Sequence, residues 1–143
     1  MADADEVVAI LGKPEGVTRI GLVLNERGAE RAIACGVDQS GAVAVASDSF
    51  GIRNQGQSSA ESVAVAQAII AMGSAAGVAA QVTIAVAFGC PFGEEVDPDP
   101  VVAMAERLAS AGPVEVALAD TIGVAVPAQV TDLFTALRRA LPE

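Results

Sequence analysis

The run Val82-Thr83-Ile84-Ala85-Val86-Ala87-Phe88 contains a single polar side chain. A strand with one wet face alternates apolar and polar residues, whereas a strand covered on both faces, as in a parallel sheet, reads as one continuous apolar run. Three further runs of this kind lie outward from it, at Arg19 to Leu24, Gly41 to Ser47 and Val114 to Ala119. Their spacings are irregular, but each interval has room for one crossover helix. Between the second and third runs, Ser58 to Ala76 has helical spacing, with Val63, Ala66, Ile69, Ile70 and Gly73 able to share one face. Ser58 and Glu61 match a capping box, which starts that helix near Ser58. Gly36 and Gly112 follow the shorter helical patterns Glu26 to Cys35 and Pro98 to Ala111, where glycine accommodates a left-handed cap. Pro100 and Pro127 stand where a helix can start. A leading helix, Asp5 to Leu11, and a trailing one, Ala128 to Leu141, complete α-(βα)4. This order predicts an α/β fold with about four parallel strands joined by right-handed crossovers, and leaves an open sheet and a barrel equally possible.

The chain has 143 residues, enough for one domain or part of one, and 52% of them are hydrophobic, which argues against intrinsic disorder. Eighteen acidic against eight basic side chains give a net charge of -10, which disfavours nucleic acid and anionic membrane surfaces as partners. The acidic start lacks the positive region of a secretory signal, and no apolar run reaches the ~20 residues of a membrane span, so a cytoplasmic location is expected. Cys35 and Cys90 form no paired-ligand spacing and are expected to be free thiols.

In either α/β architecture, reactive groups collect at the carboxyl ends of the strands. Asp120 directly follows Val116-Ala117-Leu118-Ala119, where it could bind a cation, orient a base or simply cap the next turn. Cys90, between Gly89 and Pro91, could be a nucleophile, but no histidine exists in the chain to activate it, and a small packed thiol is the plainer reading. Ser47, Asp48 and Ser49 could donate to a polar ligand or make a turn. Arg53 and Asn54 lie in a polar loop, residues 51–57, that could touch a ligand or be merely solvated. Glu94, Glu95, Asp97 and Asp99 read as a solvated acidic loop rather than a metal site. No Walker pattern or Gly-x-Gly-x-x-Gly follows a strand, so nothing points to a nucleotide.

Phe88-Gly89-Cys90-Pro91-Phe92-Gly93, followed thirty positions later by Leu118-Ala119-Asp120-Thr121-Ile122-Gly123-Val124, resembles the hydroxymethylglutaryl-CoA lyase family. Asn25-Glu26-Arg27-Gly28 with Ala34-Cys35-Gly36 resembles that family's third strand and helix. Ala46-Ser47 with Phe50, Asn54 and the Ser58 cap resembles its fourth strand and loop, and Met1-Ala2-Asp3 the end of its second βα unit. The resemblance spans essentially the whole chain. It implies a TIM barrel lyase that cleaves 3-hydroxy-3-methylglutaryl-CoA to acetyl-CoA and acetoacetate with Mg2+ or Mn2+. It also implies that Asp120 is the catalytic residue of this stretch and that Ser47, Asn54, Cys90 and Thr121 line the substrate cavity.

The departures from the family are as informative. Its first strand carries an Arg-Asp pair, its seventh a His-x-His metal pair, and its eighth region an Asn ligand and a catalytic cysteine, and this chain has counterparts of none of them. Cys90 is a different cysteine, because it precedes the Asp-Thr-Ile-Gly motif. The resemblance therefore implies one incomplete barrel domain over residues 1–143, matching the third to sixth βα units, truncated and without metal ligands of its own. A full barrel takes ~250 residues, so about half of the strands are expected here. Two open edges follow, and they call for a homo-oligomer or a companion chain. Two alternatives stand beside this reading. One is part of a related citramalate or isopropylmalate synthase, and the other is a half-barrel that binds acyl-CoA or a partner without catalysis.

Overall fold

The computed structural model describes residues 3–141, so Met1 and Ala2, which carry most of the resemblance to a second βα unit, lie outside it. Four strands, β1 (Ile20–Val23), β2 (Gln39–Val45), β3 (Ala79–Ala85) and β4 (Glu115–Leu118), form one sheet in sequence order, and all three pairings are parallel. The helices are α1 (Ala4–Leu11), α2 (Glu26–Ala34), α3 (Asp48–Gln55), α4 (Ser59–Ala76), α5 (Pro98–Ala109) and α6 (Pro127–Ala140). The fold class, strand number and direction agree with the expectation from sequence.

Two boundaries differ for physical reasons. β3 starts and stops three residues before the apolar run 82–88, because Val86 adopts a positive φ of 52° and takes the chain out of the sheet. Val86 and Ala87 are apolar because they are buried in a turn, not because they are extended. The polar stretch after β2, expected to be turn and loop, folds into α3 instead. Ser47 caps its first turn and Gly56, in the left-handed region, ends it. At Gly51 a Cβ would fall 2.4 Å from the Gln57 carbonyl oxygen and 2.7 Å from a Val45 methyl, so only glycine lets this helix sit against the sheet. The fifth helix begins at Pro98, which leaves Pro100 in its first turn rather than at its start.

Register sorts the strand residues into two faces. Gly21, Val23, Ser40, Ala42, Ala44, Ala80, Val82, Ile84, Val116 and Leu118 share one face, since paired residues on parallel strands point the same way. Most of these pack with Val63, Ala66, Ile69 and Ile70 of α4 and with Val101, Ala105 and Leu108 of α5 into the single core. α4 is long and apolar enough by composition to cross a bilayer, but its Val63, Ala66, Ile69, Ile70 and Gly73 are buried in this core. The opposite face carries Ile20, Leu22, Gly41, Val43, Gln81, Thr83, Glu115 and Ala117 and contributes nothing to that core. Leu22 stays 57% exposed there, and Gln81 donates to Glu115 across the strands at 3.0 Å. Doubly wound sheets put helices on both faces. With the core on one face only, the sheet is an arc of barrel wall.

Candidate active site

The carboxyl ends of β2, β3 and β4 come together through a small set of polar contacts. Ser47, fully buried after β2, accepts the Phe50 amide at 3.1 Å as the cap of α3, and its hydroxyl lies 2.9 Å from Cys90 Sγ on the loop after β3. The same loop reaches back through Glu94, whose two carboxylate oxygens accept the Asp48 and Ser49 amides at 3.0 and 2.7 Å. A carboxylate on the first amides of a helix meets both its unpaired donors and the positive end of its dipole. These donors, the Ser49 amide foremost, hold the Glu94 carboxyl below its ordinary range. Phe92 closes the joint, with Arg53 at 4.3 Å over its ring and Phe50 beside it at 6.2 Å.

The loop after β4 supplies the other wall. Asp120 Oδ1 and Oδ2 accept the Val124 and Ala125 amides, both at 3.0 Å, and these two bonds, Ala125 first, hold its carboxyl ionised below the ordinary aspartate range. Asp120 thus acts as a local cap, while each oxygen keeps a lone pair for a ligand. Thr121 Oγ1 accepts the Val86 amide at 2.8 Å, leaving its hydroxyl hydrogen free to donate.

The structure thus brings Ser47 against Cys90 and ties Thr121 to the turn that carries Cys90, with Asp120 next to Thr121. Asn54 is exposed near the end of α3 and makes no side-chain hydrogen bond to the other four among the described residues. Sequence reasoning passed over Glu94 as part of a solvated run. Its role comes from a contact 45 positions away along the chain, and nothing local signals it.

The divalent ion implied by the family resemblance does not fit the groups present. The sequence has no histidine, and no three acidic, cysteine or histidine side chains among the described residues converge. Among the described residues Asp120 stands without a second ligand beside it, so no chemical step is routed through a metal held by this stretch.

An arc of parallel strands, with its core on the outer face and its polar groups gathered at the strand ends, defines a portion of a (β/α) barrel. The HMGL-like family profile matches residues 1–143, and the chain belongs to that family. Hydroxymethylglutaryl-CoA lyase of Bacillus subtilis is 31% identical over 142 residues, which are 99% of this chain and 48% of that one. (R)-citramalyl-CoA lyase of Chloroflexus aurantiacus is 38% identical over 122 residues, 85% of this chain and 38% of the relative. Among solved structures, a Bacillus subtilis HMG-CoA lyase superposes with a TM-score of 0.92 at 31% identity, over 99% of this chain and 48% of that chain. An Acinetobacter baumannii HMG-CoA lyase in complex with coenzyme A and 3-methylmalate superposes at 0.89 and 26% identity, over 98% and 46%. This chain therefore spans about half the length of the curated relatives it matches, and the solved relatives are TIM barrels.

Proposed function

We propose that this chain forms a single, incomplete barrel domain, the third to sixth βα units of an acyl-CoA carbon–carbon lyase. The reaction we assign to the completed barrel is retro-Claisen cleavage of 3-hydroxy-3-methylglutaryl-CoA to acetyl-CoA and acetoacetate. A base removes the proton of the 3-hydroxyl, the bond between C2 and C3 breaks, and its electron pair passes into the enolate of acetyl-CoA, which is then protonated. The observation that carries this reading is the convergence of Ser47, Cys90, Thr121 and Asp120 at three neighbouring strand ends, in an arc that superposes on lyase structures along almost its whole length.

Within this stretch, Asp120 is the catalytic carboxylate, kept ionised so that it orients the reacting hydroxyl or its base. Cys90 and Thr121 offer short donors to an acyl group, Ser47 lies behind Cys90 and sets it in the substrate wall, and Asn54 extends the wall along α3. The family's Mg2+ or Mn2+ would be held by residues of the remaining βα units, which adjoin this stretch at the edges of β1 and β4. A cytoplasmic location belongs to the same proposal.

The test is acetoacetate release from 3-hydroxy-3-methylglutaryl-CoA with Mn2+ present. The chain by itself is expected to be silent, and adding a polypeptide that carries the family's remaining βα units is expected to restore turnover. Asp120→Ala in the restored complex should then cost about a hundredfold. Turnover by the isolated chain, or a restored complex indifferent to Asp120→Ala, would contradict the assignment. The citramalyl-CoA relative supports a second acyl group, so (R)-citramalyl-CoA belongs in the same assay as a competing substrate.

A further inference from the structure

The end of β3 departs from a regular parallel ladder by one residue. In such a ladder, a residue donates to the carbonyl of position i−1 on its neighbour and accepts from the amide of i+1, so its two partners are two apart. Ala119 donates to Ile84 O at 3.0 Å but accepts from Ala87 N at 3.1 Å, three apart. One residue is therefore inserted as a bulge, and such bulges re-aim side chains beside functional sites.

Val86 sits at the centre of this bulge. It is wholly buried and, among the described residues, is the one non-glycine with a positive φ, a conformation that a β-branched side chain disfavours. Its displaced amide has left the ladder and is met instead by Thr121 Oγ1 at 2.8 Å. Three residues on, Gly89 donates back to Val86 O at 3.3 Å and lies close under Val124, where an added Cβ would come 3.0 Å from a methyl. Cys90 follows directly and meets Ser47.

We propose that Thr121 is a positioning residue. Its hydroxyl oxygen holds the Val86 amide, stabilises the bulge that ends β3, and so sets Cys90 against Ser47. The value of that placement for catalysis rests on the lyase reading above, but the latch itself does not, and its test needs no turnover.

Cys35→Ala leaves Cys90 as the only thiol, and the rate at which iodoacetamide modifies it, followed across the thiol's titration range, reports how firmly the loop is held. Adding Thr121→Val removes the acceptor but keeps the shape, and is expected to raise that rate about tenfold as the unpaired amide loosens the bulge. Thr121→Ser keeps the oxygen and should stay within about twofold of the parent. Ile70→Val, which loosens the core away from this loop, should leave the rate unchanged. An unaltered rate in the folded Thr121→Val protein would overturn the proposal, as would an equal rise in Ile70→Val. If circular dichroism shows Thr121→Val unfolded, hydrogen exchange of the Val86 amide in the unsubstituted chain decides. Protection equal to the β3 amides upholds the latch, and free exchange refutes it.

Discussion

At the amino ends of β1 and β2, one guanidinium does most of the joining. Arg19 donates to the Gly12 and Gly36 carbonyls through its two terminal nitrogens, and to Asp38 through both Nε and its backbone amide, while Lys13 meets the other Asp38 oxygen at 2.9 Å. At the carboxyl ends the strand-to-strand contacts run through hydroxyls, a thiol and carboxylates on backbone amides, and one of the turns they hold is strained. The first end spends its charge on itself: the Arg19 and Asp38 side chains are only 14% and 19% exposed and face each other. The second leaves donors and lone pairs unspent. The difference matches the division of labour in (β/α) barrels, where one end of the sheet serves stability and the other serves chemistry.

Arg19→Ala should sharpen that contrast most, because it removes three side-chain bonds from a half-buried cluster and leaves Asp38 with the backbone amide of residue 19 and Lys13 alone. We expect the melting temperature to fall by about 5–10 °C with Cys90 reactivity unchanged. Calorimetry paired with thiol modification checks it, and a change in Cys90 reactivity at temperatures well below melting would break the comparison.

Acid should separate the same two ends. The Arg19 side chain, then its amide, then Lys13 hold the Asp38 carboxyl far below its ordinary value of 3.8. Stability from a carboxyl depressed in this way is complete above the ordinary value and drains away as the pH falls below it. The Glu94 contribution, from an ordinary value of 4.5, should begin to drain at a higher pH. Cys90 should therefore become reactive during acid titration, judged by a reagent selective for thiols at low pH, before the fold melts. Glu94→Gln should reproduce that loosening at neutral pH, raising Cys90 modification a few-fold while moving the melting temperature by only about 2–4 °C. Simultaneous loss of both ends in acid would argue against their independence.

The smallest effect is expected at Ser40. It lies on the helix-covered face of β2, almost wholly buried, and its hydroxyl has no hydrogen-bond partner. Ser40→Ala should therefore be neutral or stabilise by up to about 1 kcal/mol in urea denaturation. A loss greater than that would mean a bound water satisfies the hydroxyl.

The pattern of elements was legible from local chemistry. Continuous apolar runs marked all four strands, as they do in parallel sheets, and Ser58 with Glu61 marked the start of α4 because a cap is a contact between near neighbours. Asp120, Thr121, Ser47 and Cys90 could be picked out because strand ends are where such chemistry gathers, with motif resemblance adding to that. Asp120 remained ambiguous between cap and catalyst, since a local turn and a site use the same residue type at the same place. α3 was missed because its apolar content is low and its capping is shared with Glu94, a residue the chain order puts far away.

Hydrophobic periodicity and near-neighbour capping, both short-range properties, sufficed to determine that this chain builds parallel βα units and in what order. Which face of the sheet the helices cover, how Glu94 and Thr121 reach across to loops on other strands, and where β3 breaks at Val86 were decided by the tertiary structure. Those outcomes depend on register and on hydrogen bonds between residues distant in sequence, and no local window contains the energy that selects them.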